Sequence, residues 1–253
     1  MRLHGEQCRS IVSAALAEGY RHIDTARSYD NEEDVGAGIR QSSVPRDEIV
    51  LVTKVWHTDL AGPDVEEAAE SSLRRLGTDY VDVLLVHWPS RAVPLEETLE
   101  AFAQVREQGK ARFIGVGNFP STMFEGIAGV PGLIGNQVEY HPYLGQDKIL
   151  TSARSNGLVV TAYCPLGRAG DLLQDPLLQE LAGSYGKTVP QIVLRWLIEQ
   201  DRVAAIPGTS DPGHLRENVD VFDFELSPDD AAAISSLARG ARVVNPPHAP
   251  DWD

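Results

Sequence analysis

Seven short apolar runs, separated by longer amphipathic stretches, predict an α/β chain built as a (β/α)8 TIM barrel rather than an open doubly wound sheet. Three observations carry that reading. The βα units repeat from end to end without a Pro/Gly-rich linker, so residues 1–253 read as one domain. Many of the runs are apolar throughout, as expected of parallel strands covered on both faces. Several runs stop at a polar residue with chemistry to offer, and ligands of such sheets bind at the C-terminal strand ends.

In chain order, Glu6–Glu18 has 3.6-type periodicity and predicts the first helix, and Arg21–Thr25 predicts the first strand. Helix Asn31–Gln41 and strand Ile49–Thr53 follow, then helix Pro63–Leu76 and strand Val81–Val86. Helix Leu95–Gln108 leads to strand Arg112–Val116, and strand Ile134–Glu139 precedes helix Asp147–Asn156. Strand Leu158–Tyr163, helix Pro190–Glu199 and strand Val203–Ile206 complete the pattern. The count is one short of eight, and the first helix begins almost at Met1. Gly36 and Gly38 fall inside a helical pattern and are read as packing glycines. Gly115-Val116-Gly117-Asn118-Phe119 lacks G-x-G-x-x-G spacing, so no Rossmann fingerprint is present.

Composition narrows the partners. A formal charge of -15 argues against nucleic acid and against anionic membranes. No run approaches the roughly 18 apolar residues of a membrane span, and the N-terminus lacks the apolar core of a signal peptide. A cytoplasmic protein is expected, with Cys8 and Cys164 as buried thiols rather than a disulfide. His22, His57, His87 and His141 stand apart, with no H-x-x-x-H pattern or paired cysteines, so no metal site is expected.

The chemistry concentrates at strand ends. Asp24 closes the first apolar run, Tyr29 follows it, Lys54 ends the second and His87 ends the third. Singly, each has an ordinary structural use as a helix cap, a packing ring, a surface cation or a core imidazole. As a set at successive strand ends they are similar to the tetrad of the aldo-keto reductases, which implies carbonyl reduction: hydride addition leaves an alkoxide that must be protonated as it forms. A tyrosine hydroxyl, with pKa near 10, is a slow donor at neutral pH, and lowering that pKa by about three takes about 4 kcal/mol. One ammonium at about 4 Å supplies roughly that much at an effective dielectric of 20. Lys54 can tune Tyr29, Asp24 can keep Lys54 charged, and His87 can orient the carbonyl oxygen.

That resemblance runs along the chain. Gly19 through Ala26 followed by Tyr29-Asp30-Asn31-Glu32 is similar to the opening signature of the aldo-keto reductases. Thr53-Lys54-Val55-Trp56, Leu85-Val86-His87-Trp88-Pro89, Gly117-Asn118-Phe119, Asn136-Gln137-Val138-Glu139-Tyr140 and Ile206-Pro207 continue it in order. The bacterial 2,5-diketo-D-gluconate reductases are the branch it resembles, including the tail from Arg242 to Asp253. The resemblance implies a catalytic tetrad of Asp24, Tyr29, Lys54 and His87, with Trp56, His87 and Trp88 lining a substrate pocket that Trp252 also walls. It implies a monomer that reduces small aldehydes or ketones, keto-sugar acids and 2-oxoaldehydes among them. The alternatives are a non-catalytic cofactor-binding relative and an inactive truncated product.

It also implies a nicotinamide cofactor, NADP(H) by family habit with NAD(H) left open. Asn118 and Gln137 would hold the carboxamide, Tyr163 would stack on the ring, and Pro165 and Leu166 would line the site. Thr209, Ser210 and His214 would meet the adenosine phosphates, and Glu217 and Asn218 the adenine. Three departures from the family pattern stand out. Gly117 replaces a serine, Gly208 replaces a lysine and His214 replaces an arginine, and the last two losses remove cations that meet the 2′-phosphate. Relatives also begin with a hairpin and a first strand ahead of a segment like Leu3-His4-Gly5, so the expected barrel lacks that strand.

Overall fold

The strands form because their residues can be covered on both faces. In the computed structural model, which describes residues 3–252, strand β3 (Val81–Val86) is buried along its whole length. Its neighbours are β1 (His22–Asp24), β2 (Val50–Val55), β4 (Ala111–Gly117), β5 (Leu133–Glu139), β6 (Val159–Tyr163) and β7 (Val203–Ile206). They pair in sequence order, every pair parallel, in one seven-stranded sheet that curls into a nearly closed barrel. Every predicted strand is present, two with unchanged bounds and the rest with ends shifted by at most two residues. Among the described residues the sheet stays one strand short of eight, as the sequence predicts.

Helices α1 (Gly5–Ala17), α2 (Glu32–Gln41), α3 (Gly62–Leu76), α4 (Leu95–Glu107), α5 (Ser121–Gly126) and α6 (Asp147–Asn156) flank the strands. They are followed by α7 (Pro176–Tyr185), α8 (Val189–Ile198), α9 (Pro212–Val219) and α10 (Pro228–Ser235). The periodic pattern did not name α5, α7, α9 and α10. Local punctuation starts three of them: the Asp175 carboxylate accepts from the Leu177 and Leu178 amides, Asp211 from the Gly213 amide and Ser227 from the Asp230 amide, each just ahead of a proline.

Packing explains two glycines. A Cβ on Gly36 of α2 would lie 2.0 Å from the Leu76 carbonyl oxygen at the end of α3, so only glycine lets these helices meet. A Cβ on Gly135 of β5 would lie 1.9 Å from the Val159 carbonyl oxygen across the ladder. The main core fills the space between helices and sheet, and a second small cluster of Val52, Val83 and Leu85 with Ile134 fills the inside of the barrel. Near the base, the buried carboxylate of Asp82 joins three strands by accepting from the Leu51 amide, Arg46 and Arg112. The apolar floor and this clamp below it fix the heights at which the strand ends emerge.

Both cysteines are free, Cys8 buried and Cys164 half-buried. No helix among the described residues is long and apolar enough to cross a membrane.

β1 and β7 are the shortest strands and pair on one side only among the described residues. Native-state hydrogen exchange should therefore give β1 and β7 amides opening free energies at least about 1 kcal/mol below those of β3 and β4. Equal protection across all of these strands would contradict the edge assignment.

Candidate active site

Parallel pairing brings the ends of β1, β2 and β3 side by side, and with them Asp24, Lys54 and His87. Lys54 is 2% exposed. Its ammonium donates to the Asp24 carboxylate and to the Thr25 carbonyl oxygen at 2.9 Å. The second carboxylate oxygen of Asp24 accepts from Nε2 of Gln137 at 2.7 Å, so the pair is braced from β5 across the barrel. Burial by itself pushes Lys54 toward the neutral amine. The Asp24 charge and hydrogen bonds to Asp24 and Tyr29 outweigh it and raise the Lys54 pKa above its ordinary value.

Tyr29 ends a short 3₁₀ turn, Arg27–Tyr29, that follows β1. Its ring centre lies 5.1 Å from the Lys54 ammonium, and its hydroxyl hydrogen-bonds that ammonium. The His87 ring meets Tyr29 edge-on at 5.5 Å and Trp56 edge-on at 5.0 Å. Phenol, ammonium and imidazole converge on one mouth, as the sequence predicts. Such a group can donate a proton, hold the resulting phenolate beside a fixed cation, and hydrogen-bond an oxygen from a second direction.

The turn that carries Tyr29 is held from behind. Glu32, 1% exposed, accepts from the Thr53 hydroxyl at 2.6 Å and from Arg75 at 2.6 and 2.7 Å. Thr53 is the residue before Lys54, so its hydrogen bond to Glu32 ties the start of α2, just after the Tyr29 turn, to the lysine strand, and Arg75 holds the buried carboxylate from α3. Thr25 and Asn31 close the same turn through a 2.7 Å side-chain hydrogen bond. The sequence shows Glu32 only as part of a motif; nothing in it announces the partner Arg75, far along the chain on α3.

The cofactor candidates lie along the β4–β7 side of the mouth. Asn118, held at a left-handed φ of 63°, donates to the His87 carbonyl oxygen at 2.9 Å and accepts from the Tyr163 hydroxyl at 2.7 Å. Tyr163 is thereby fixed as an aromatic face. Burial, and then the nearby Glu139 carboxylate, push its hydroxyl pKa far up, which marks it as a wall and not an acid. Pro165 and Leu166 follow it in the loop after β6, and Leu166 packs on the core. A fixed aromatic face beside two amides fits the ring end of a nicotinamide dinucleotide.

The phosphate end is thinner. Thr209 and Ser210 are half-buried after β7, and His214 is exposed on α9. The Asp211 carboxylate accepts from the Gly213 amide at 2.7 Å, so that amide at the start of α9 is already used. Glu217 accepts from the Thr188 hydroxyl at 2.6 Å, and Asn218 is buried. Arg216 pairs with Glu18, just after α1, at 3.1 Å.

Around the mouth, Trp88 is buried and lies 6.1 Å from Trp252. Between Trp56 and Trp88 sits His248 of the C-terminal tail, which stacks on His57 at 4.1 Å. The sequence analysis missed His248 and the buried Glu139 that holds the tail; the histidine-rich rim was the one signal available, and it was weighed only as a metal site. Among the described residues no group of three or more ligating side chains could hold a metal ion.

The aldo/keto reductase family model matches residues 2–239. The chain belongs to that family. An aldo-keto reductase of Mycolicibacterium smegmatis is 42% identical over 246 residues, covering 94% of this chain and 87% of its own. The 2,5-diketo-D-gluconic acid reductase B of a Corynebacterium is 39% identical over 241 residues, with the same coverage of 94% and 87%. Among solved structures, a Bombyx mori aldo-keto reductase in complex with NADP superposes with a TM-score of 0.89 at 34% identity, covering 94% of this chain and 85% of that one. Family membership makes this aldo-keto reductase an oxidoreductase.

One pH dependence follows from this geometry. His22 lies on β1 two residues before Asp24, and its Nε2 is buried without a partner among the described residues. Burial lowers its pKa, and burial lowers those of His57 and His248 at the rim. A lowered folded-state pKa means that the unfolded chain binds more protons below its own histidine pKa of about 6.5. The stability from neutral imidazoles is present above that pH and lost as pH falls through the folded values. Thermal melts of this reductase should therefore fall as pH drops from 7 toward 5, and His22→Asn should flatten that fall. Identical slopes for both proteins would contradict it.

Proposed function

We propose that this chain reduces small aldehydes and ketones by direct hydride transfer from a nicotinamide cofactor, with Tyr29 as proton donor. The observation that carries the reading is the buried Lys54 ammonium, paired with Asp24 and hydrogen-bonded to Tyr29 at the mouth that His87 faces. A bound reduced nicotinamide would supply the hydride. Asn118, Gln137 and Tyr163 would hold its ring end beside Pro165 and Leu166. Thr209, Ser210, His214, Glu217 and Asn218 would meet the adenosine half.

The chain's own residues handle the oxygen. His87 hydrogen-bonds the carbonyl oxygen and sets its direction toward Tyr29. Tyr29 gives up its proton as the alkoxide forms, and Lys54 stabilises the phenolate left behind. Asp24 keeps Lys54 cationic in a dry site, where an unpaired ammonium would shed its proton. Keto-sugar acids and 2-oxoaldehydes are the substrate classes we favour, and the name of the Corynebacterium relative supports the first of them. Removing the acid should be severe: Tyr29→Phe should lower kcat by about 10²–10⁴ while cofactor affinity barely changes. Steady-state kinetics with fluorescence titration of the cofactor checks this, and near-normal turnover by Tyr29→Phe would refute the assignment.

For the cofactor, we propose weak discrimination between NADPH and NADH, although the Bombyx mori relative is in complex with NADP. A 2′-phosphate needs a cation. Gly208 and His214 stand where relatives carry lysine and arginine, Arg216 is paired with Glu18, and Asp211 adds negative charge beside the segment. Installing Gly208→Lys with His214→Arg should add charge-assisted bonds of ~1.5–3 kcal/mol each. Cofactor titrations should then show the NADPH-over-NADH preference rising by about tenfold or more. An unchanged ratio in the double variant would contradict this placement of the phosphate.

A further inference from the structure

After α10 the chain forms no further helix or strand among the described residues, yet it is pinned at both ends. The Tyr143 carbonyl oxygen accepts from the Arg239 and Ala241 amides at 3.1 and 3.0 Å. The Glu139 carboxylate, 0% exposed at the end of β5, accepts from the Val243 amide at 2.7 Å and the Val244 amide at 2.8 Å. His141 Nε2 sits 3.0 Å from the same carboxylate. Without the tail, this buried charge would lose both backbone donors, so the root of the tail cannot lift without exposing it. In the loop after β3, two strands away, Arg91 donates to the Ala249 carbonyl oxygen at 3.1 Å. The tail is a strap across the strand ends.

His248 lies between those anchors. Its ring stacks on His57 at 4.1 Å and meets Trp56 and Trp88 edge-on at 5.0 and 5.2 Å. Trp56 also meets His87 at 5.0 Å, so one indole is shared between the imidazole at the reacting centre and the imidazole on the strap. The Nε2 of His248 is shielded from solvent and has no partner among the described residues. A shielded imidazole nitrogen costs stability until a polar atom answers it.

We propose that His248 reads the substrate: its Nε2 hydrogen-bonds an oxygen that the substrate carries beyond the reacting carbonyl, and Glu139 is the positioning residue that holds it there. The ligand class is a carbonyl compound with a second oxygen function, a hydroxyl or a further carbonyl. This rests on the reading of His87 as the residue that meets the reacting carbonyl.

The test compares DL-glyceraldehyde with propanal, which match in carbon number and differ in hydroxyls. His248→Phe keeps the aromatic contacts and removes the nitrogens; it should raise KM for glyceraldehyde relative to propanal by about tenfold, with a much smaller change in kcat. His248→Gln restores a polar group and should recover most of that ratio. Glu139→Gln cannot accept from both tail amides, and should shift the ratio in the same direction as His248→Phe while leaving cofactor titrations nearly unmoved. A KM ratio in His248→Phe equal to that of the natural sequence would overturn the proposal, whatever Glu139→Gln does. If the unaltered protein turns over neither aldehyde, the reductase reading fails instead. Quenching of tryptophan fluorescence by glyceraldehyde then decides about His248: weaker binding by His248→Phe supports the subsite, and equal binding overturns it.

Discussion

The site depends on keeping a lysine charged where water cannot reach it. Lys54 is almost wholly buried, and isolated burial would strip its proton. The Asp24 carboxylate prevents this, and Asp24 is in turn fixed by Gln137 from the other side of the barrel. A buried pair of this kind contributes little net stability, because the cost of desolvating both charges offsets their attraction. What it provides is a cation in a defined place, braced by strands that the apolar floor of the barrel holds at fixed heights. Losing one partner would leave the other charge unpaired in a dry site, which makes the arrangement sensitive to single substitutions.

Other features of the mouth can be understood as supports for that pair or as surfaces facing it. Glu32, held by Arg75, ties the start of α2, just after the Tyr29 turn, to the strand carrying Lys54. Glu139 performs a comparable task for the tail, and it also separates the two tyrosines of the site chemically. Burial, and then the nearby Glu139 carboxylate, disfavour a phenolate at Tyr163; Tyr29 lies beside an ammonium, which favours one. The proposed acid has an ammonium at its hydroxyl, and the proposed wall has burial and then a carboxylate working against ionisation.

Much of this was legible in the sequence because strands in a parallel barrel are apolar on both faces. A polar residue at the end of such a run, as at Asp24, Lys54 and His87, therefore stands out. Strand order, parallel pairing and the packing role of Gly36 were legible for similar reasons. Helices α7 and α10 were not, since their starts are set by a single capping side chain ahead of a proline. Contacts between distant segments were also hidden. Arg75 reaches Glu32 across 43 positions, and the tail amides of Val243 and Val244 reach Glu139 across more than a hundred. Nothing local in sequence records such pairings, so His248 could be noticed only as a histidine near the end of the chain.

In the proposed mechanism Asp24 serves the chemistry by holding Lys54 as a cation beside Tyr29. Single-turnover hydride transfer in Asp24→Asn, followed at the nicotinamide absorbance, tests it most directly. Removing the carboxylate while keeping its shape should slow that step by about 10²-fold or more, with cofactor affinity changed far less. A single-turnover rate equal to that of the natural sequence would show that the buried pair is structural only, and the account would fail.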